Sequence, residues 1–413
     1  MEPGPLGRNT KVNTKHFIEM EERYGAHNYH PLDVVVERAE GVWVYDVDGN
    51  RYLDCLAAYS AVNQGHCHPR LVKKIKEQAE KLTLTSRAFR NDQLGPYCKE
   101  LSELSGMDKV LPMNTGAEAV ETAIKASRKW GYTVKGIPKD KAEIIVFDGN
   151  FHGRTTTIVG FSTDPQSYGG FGPFAPGFKI VKYGDANAVR EAITPNTCAL
   201  IIEPIQGEGG IIIPKDGYLK ELREICTKEN VLFIADEIQS GLGRTGRMFC
   251  FEWENVRPDG IIIGKALSGG MYPVSAFLCN DNVMSVFTPG DHGSTYGGNP
   301  LACAVAREAL KVIAEERLVE RSEELGAYFL ERLRAIKSDR LREIRGRGLW
   351  IAIELDKPAR PDCVALKQKG LLCKETHENI IRIAPPLTIS KDEVDWACDR
   401  VKEVLEAPAM AGA

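Results

Sequence analysis

Between about residue 70 and residue 300 the chain alternates stretches of helical period with short runs that are apolar at almost every position. Those runs are Glu143–Phe147, Cys198–Ile202, Val231–Ala235 and Gly260–Ile263. Apolar side chains at successive positions suit strands covered on both faces, as in a largely parallel sheet. The alternation predicts an α/β layer architecture. Upstream, Val42–Asp46 and Arg51–Asp54 read as a hairpin about the turn Asp48-Gly49-Asn50. Downstream come two helical stretches, Ala302–Glu316 and Leu318–Ile336, then strand-like runs at Leu349–Leu355 and Ile380–Ile383. An amphipathic helix over Lys391–Leu405 closes the pattern. The expected organisation is a large domain over 60–314 and a smaller α+β domain over 315–413. Residues 1–59 form an N-terminal segment packing with the small domain.

Composition narrows the picture. A chain of 413 residues is long enough for a large domain with a smaller companion. A net charge of -4 offers no basic surface for a nucleic-acid backbone. No apolar run approaches the roughly 18 residues that cross a bilayer. Met1 to Asn13 is rich in Pro, Gly and polar residues and has no apolar core of a secretory signal. The tail Ala407–Ala413 consists of small residues and is expected to be disordered. Eleven scattered cysteines without a C-x-x-C pair fit a reducing compartment better than a disulfide framework. The expected location is the cytoplasm, or the mitochondrial matrix if a presequence was removed. Gly65-His66-Cys67-His68-Pro69 has metal-like residues but no second cluster to complete a site. It reads as a Pro-terminated turn, and no metal is expected.

Ligands of open α/β sheets bind at the carboxyl ends of the strands. Two neighbouring runs end in chemistry there: Val231–Ala235 leads into Asp236, and Gly260–Ile263 leads through Gly264 into Lys265. A structural ion pair would leave the same pattern. Thr115 and Glu118 have capping-box spacing, so a helix is predicted to start at Gly116 and to offer free N–H groups to an anion. A nucleotide P-loop is disfavoured at Gly260–Ala266. Only three residues separate the glycines, and Ala266 stands where magnesium needs Ser or Thr. No G-x-G-x-x-G follows a first strand, which disfavours a dinucleotide fold.

Five segments in order resemble the class III aminotransferases of fold type I. They are Thr115-Gly116-Ala117-Glu118-Ala119, Glu203-Pro204-Ile205-Gln206-Gly207-Glu208, Asp236-Glu237-Ile238-Gln239-Ser240-Gly241, Gly264-Lys265-Ala266-Leu267-Ser268-Gly269-Gly270 and His292–Pro300. The resemblance covers roughly Ile18 to Leu405. It implies pyridoxal 5'-phosphate as cofactor, with Lys265 joined to its aldehyde and then moving protons as general base and acid. Asp236 would face the pyridine nitrogen, Gln239 the phenolic oxygen, and Phe151 would stack on the ring. Gly116 and Ala117 would present amides to the phosphate. Thr295 would reach the phosphate of a neighbouring subunit, which implies a homodimer with shared sites.

Within the class, three segments resemble the branch that acts on ornithine: Tyr24–Pro31, Ala58–His66 and Lys129–Tyr132. That likeness implies transfer of the δ-amino group of L-ornithine to 2-oxoglutarate. Tyr29 and Tyr59 would shape the donor pocket, with Tyr29 and Arg154 holding the α-amino and α-carboxylate groups. Arg382 would bind the α-carboxylate of glutamate or 2-oxoglutarate, and Glu208 would cover it while ornithine is bound. The alternatives are an acetylornithine or a 4-aminobutyrate aminotransferase; the Tyr59 hydroxyl makes sense with a free charged amino acid and not with an acylated one. His152 departs from the Trp of the animal ornithine enzymes. It is expected to alter packing over the cofactor and to leave the Lys265–Asp236 pair untouched.

Overall fold

A computed structural model describes residues 13–407. Its centre is a seven-stranded sheet. In spatial order the strands are Lys109–Met113, Ser275–Cys279, Gly260–Ile263, Leu232–Asp236, Thr197–Ile202, Glu143–Phe147 and Phe178–Val181. Pairing is parallel from Gly260–Ile263 onward, and Ser275–Cys279 runs antiparallel to both of its neighbours. The four continuous apolar runs are the middle of this sheet. Ile144 and Val146 pack into one core with Val120, Ala123 and Ile124 of the helix Gly116–Thr133. Ile145 and Phe147, alternate residues of the same strand, enter a second core with Leu219 and Leu222 of the helix Tyr218–Lys228. Both faces are covered, so the strand is apolar at every position after Glu143.

Two smaller sheets flank this layer. One is antiparallel, in the order Leu341–Gly346, Ile351–Leu355, Ile380–Ile383, Lys374–Thr376. The other joins Val36–Glu40, Trp43–Asp46 and Arg51–Asp54 to Leu371–Leu372 from the far end of the chain. The hairpin turns as the sequence implies. The Asp46 carboxylate accepts hydrogen bonds from the Asp48 and Asn50 amides, and Gly49 takes φ +90°.

The differences from the sequence expectations are local. The helix expected from Ala302 starts at Pro300, because Asn299 caps the Ala302 amide at 2.8 Å and proline fits the first turn. The strand expected from Leu349 begins at Ile351. Three strands of the main sheet lie outside the apolar runs that pattern alone singles out: Lys109–Met113, Phe178–Val181 and Ser275–Cys279. Residues 1–12 and 408–413, which carry nearly all of the expected polar start and small-residue tail, lie outside the described residues. Among the described residues no helix is long and apolar enough to cross a membrane.

Candidate active site

Asp236 and Lys265 come together because their strands are adjacent: Asp236 pairs with Ile262, just before the chain turns at Gly264. Lys265 holds φ +45°, a left-handed conformation that costs a side-chain-bearing residue strain and is found at functional sites. A cavity of about 170 Å³ opens at this strand end. Its lining includes Gly116, Ala117, Phe151, Asp236, Gln239 and Lys265. Gly116 and Ala117 open the helix whose capping box, Thr115 with Glu118, is formed in both directions. Lys265 is half-buried at the cavity, and desolvation lowers its amine from 10.5 to about 8, Arg382 adding to the effect while Glu208 opposes it.

The neighbour of Asp236 overturns one expectation. His152 is buried and its Nδ1 lies 2.6 Å from Asp236 Oδ2, so it contacts the Lys265–Asp236 site directly instead of only packing over it. An imidazole has a nitrogen that reaches a carboxylate through a short side chain, which explains the contact. Burial opposes the charged ring, but the hydrogen bond and charge of Asp236 outweigh it and hold His152 above its ordinary value. The other Asp236 oxygen accepts from the Ile238 amide at 3.1 Å. Glu203 accepts from the Phe151 amide at 3.0 Å and the Gly207 amide at 3.3 Å. Burial pushes its carboxyl up to about 7, with His152 pulling the other way. The sequence motif contained Glu203 but gave it no role. Its visible signal is only the acid at the end of a wholly apolar run.

A second cluster lies alongside. Arg382, on the strand Ile380–Ile383, is 1% exposed. Its Nη1 donates to Glu208 Oε1 at 2.6 Å, while Nε and Nη2 have no protein partner. The guanidinium lies 5.2 Å from the Tyr59 ring and 5.8 Å from that of Trp350. Burial raises the Glu208 carboxyl, but the charge and hydrogen bond of Arg382 hold it below its usual value. Gln239 Nε2 is 3.5 Å from Glu208, and Gln239 Oε1 is buried without a partner.

Tyr59 arrives by an uncommon path. Ala57, Ala58, Tyr59 and Ser60 take φ of 47°, 47°, 57° and 70°, one left-handed turn built without glycine. Such residues cost roughly 1–2 kcal/mol each, so the turn is strained and depends on its surroundings to persist. Sequence patterning has no signature for this turn.

Arg154 lies 5.9 Å from the rings of both Tyr29 and Phe151, linking the cavity wall to the proposed donor residues. Tyr29 is 64% exposed, and Thr295 is exposed as well. The remaining histidines of the Gly65–Pro69 turn go to different carboxylates, His66 to Asp54 and His68 to Glu316.

A half-buried lysine, a carboxylate with its imidazole and an anion-ready helix start, all at strand ends, fit the class suggested by the motifs. The family model for class III aminotransferases matches residues 24–405. The chain belongs to the class III aminotransferases. It is 60% identical to the ornithine aminotransferase of Brevibacillus brevis over 94% of this chain and 97% of that protein. A solved structure of the Toxoplasma gondii ornithine aminotransferase, with pyridoxal phosphate at partial occupancy in its active site, superposes with TM-score 0.95. It is 45% identical and covers 97% of this chain and 98% of its own. The acetylornithine aminotransferase of Elizabethkingia anophelis is 49% identical over 95% of this chain and 99% of its own, with TM-score 0.88.

Proposed function

We propose that the protein is an ornithine aminotransferase that moves the δ-amino group of L-ornithine to 2-oxoglutarate, using pyridoxal 5'-phosphate. The products are glutamate 5-semialdehyde and L-glutamate. The carrying observation is the Arg382–Glu208 pair. A carboxylate site that has its own removable cover suits an enzyme that must first ignore, then accept, an α-carboxylate.

The residues present fit the cofactor. Gln239 Oε1 and His152 Nε2 are buried acceptor or donor atoms left without partners beside the cavity. The first amides of the helix Gly116–Thr133 face outward as an anion cradle. When bound, the cofactor supplies an aldehyde for amine exchange and a ring that withdraws electrons from the reacting carbon. Gly116 and Ala117 bind its phosphate, Phe151 covers the ring face and Gln239 meets the phenolic oxygen. Asp236, steadied by His152, keeps a proton on the ring nitrogen. Lys265 Nζ would take the proton from the substrate carbon that bears the departing amine, as general base, and give it up again as general acid on the far side of that nitrogen. An amine near 8 is neutral far more often at physiological pH than one at 10.5, which this role needs.

Tyr29 and Arg154 hold the α-amino and α-carboxylate groups of ornithine, so the distal amine reaches Lys265. Arg382 then receives 2-oxoglutarate once Glu208 has moved away. Thr295, exposed in the single chain, belongs to a homodimer contact and serves the neighbouring site. The eleven cysteines are all free, in keeping with a cytoplasmic enzyme. The large domain 60–314 carries the cofactor residues, and 315–413 carries Arg382.

The test is a set of half-reactions with L-ornithine, N-acetylornithine and 4-aminobutyrate, following the long-wavelength absorbance of the holoenzyme. L-Ornithine should bleach it fastest and yield the semialdehyde. Bleaching by the acetylated donor alone would overturn the proposal.

A further inference from the structure

We propose that Asp54 and His66 are positioning residues for the substrate site, holding the left-handed turn that sets Tyr59 against Arg382. This rests on the assignment of Tyr59 and Arg382 to that site. The turn needs a restraint, because four successive residues with side chains, Ala57 to Ser60, lie in a backbone region that favours glycine.

Asp54 supplies it. One oxygen of its carboxylate accepts the amides of both Leu56 and Ala57, at 2.8 and 3.0 Å, at the entrance to the turn. The other oxygen is 2.7 Å from His66 Nε2. Asp54 is buried, so neither bond is readily replaced by water. His66 is itself pinned by a main-chain bridge with Gly41, at 2.7 and 3.0 Å in the two directions. The carboxylate is thereby held from two sides, with its first oxygen aimed at the turn.

The turn is also stitched to the segment leaving the Arg382 strand. The Ala384 amide donates to the Cys55 carbonyl at 2.7 Å, and the Leu387 amide to the Asn63 carbonyl at 2.8 Å. These bonds hold both flanks of the turn against the segment that follows Arg382 and leave its entrance to the Asp54 cap. Their contact gains importance when Glu208 leaves. The aromatic faces of Tyr59 and Trp350 then remain beside a buried guanidinium that would otherwise lack a partner. The histidine of the Gly65–Pro69 motif thus acquires a role in the substrate site, at one remove from substrate.

Asp54→Ala, Asp54→Asn and His66→Ala should be measured in the wild-type and the Tyr59→Leu holoenzyme, with 2-oxoglutarate as varied substrate. Asp54→Ala should raise KM about tenfold with kcat changed less than about threefold. His66→Ala should raise KM by roughly threefold, and Asp54→Asn should restore most of the loss because its amide oxygen still accepts. In the Tyr59→Leu background Asp54→Ala should add less than about twofold, since residues acting through one contact are not additive. Full additivity, or kcat and holoenzyme absorbance falling together, would overturn the proposal. If Asp54→Ala does not fold, His66→Ala carries the same comparison. Crystal structures of the soluble variants decide the geometry independently. Residues 57–60 should leave the left-handed region, and a turn that stays in place with Tyr59 against Arg382 refutes the positioning role. A wild-type enzyme inactive with ornithine would sink the proposed function alone, and those structures would still judge the turn.

Discussion

Replacing Glu208 with glutamine isolates the charge of the cover from its shape. Glu208 Oε1 lies 2.6 Å from Arg382 Nη1, with the arginine side chain 1% exposed and the glutamate 31%. Opposite charges about 4 Å apart attract by roughly 4 kcal/mol at an effective dielectric near 20. Desolvation offsets much of that, and a charged hydrogen bond typically nets about 1.5–3 kcal/mol. Glu208→Gln keeps the volume and one acceptor oxygen but returns that free energy to any incoming carboxylate. KM for 2-oxoglutarate should therefore fall by roughly 10- to 100-fold. The α-carboxylate of ornithine should compete for the same guanidinium, placing its α-amine at Lys265. The assay is steady-state KM for 2-oxoglutarate together with the ratio of δ- to α-transamination products from ornithine. The reasoning is refuted if KM stays within twofold and the product ratio does not move.

Arg154→Ala should raise KM for L-ornithine at least about tenfold, the loss expected for a charged contact, while KM for 2-oxoglutarate stays within about twofold. Equal rises for both substrates would remove Arg154 from the donor pocket. Lys265→Met should abolish turnover and stabilise the cofactor-free protein at pH 7 by roughly 3 kcal/mol, the cost of lowering the amine from 10.5 to about 8. The folded lysine gives up its proton at lower pH than the unfolded one. The wild-type penalty is therefore full below pH 8 and fades as pH rises toward 10.5. Urea unfolding of both cofactor-free proteins at pH 7 and pH 10 checks this, and a gap that does not shrink at pH 10 contradicts it.

The legible part of the fold was the part whose physics is one-dimensional. Strands such as Glu143–Phe147 and Gly260–Ile263 are buried on both faces and write that burial into consecutive residues. Phe178–Val181 is an edge strand, with Ile180 exposed and Lys179 reaching out to Glu143, so its pattern is diluted. Ser275–Cys279 is as buried as any strand, yet its reversed direction follows from the short return after Lys265, which composition does not record. In the site, Asp236, Lys265 and the Thr115 cap were visible because each sits at a strand or helix end. The His152–Asp236 contact, the Glu203 bonds and the Ala57–Ser60 turn were not, since they depend on side-chain reach or left-handed backbone between segments distant in sequence.

The parallel pairing of Leu53 and Asp54 with Leu371 and Leu372 ties segments made more than three hundred residues apart. On a ribosome the early hairpin must wait, one edge bare, until the segment around Leu371 has emerged. Contacts this remote carry a large loop-closure cost and form late. Maturation of the Tyr59 pocket, which hangs from that same strand, is thereby tied to the emergence of Leu371 and Leu372.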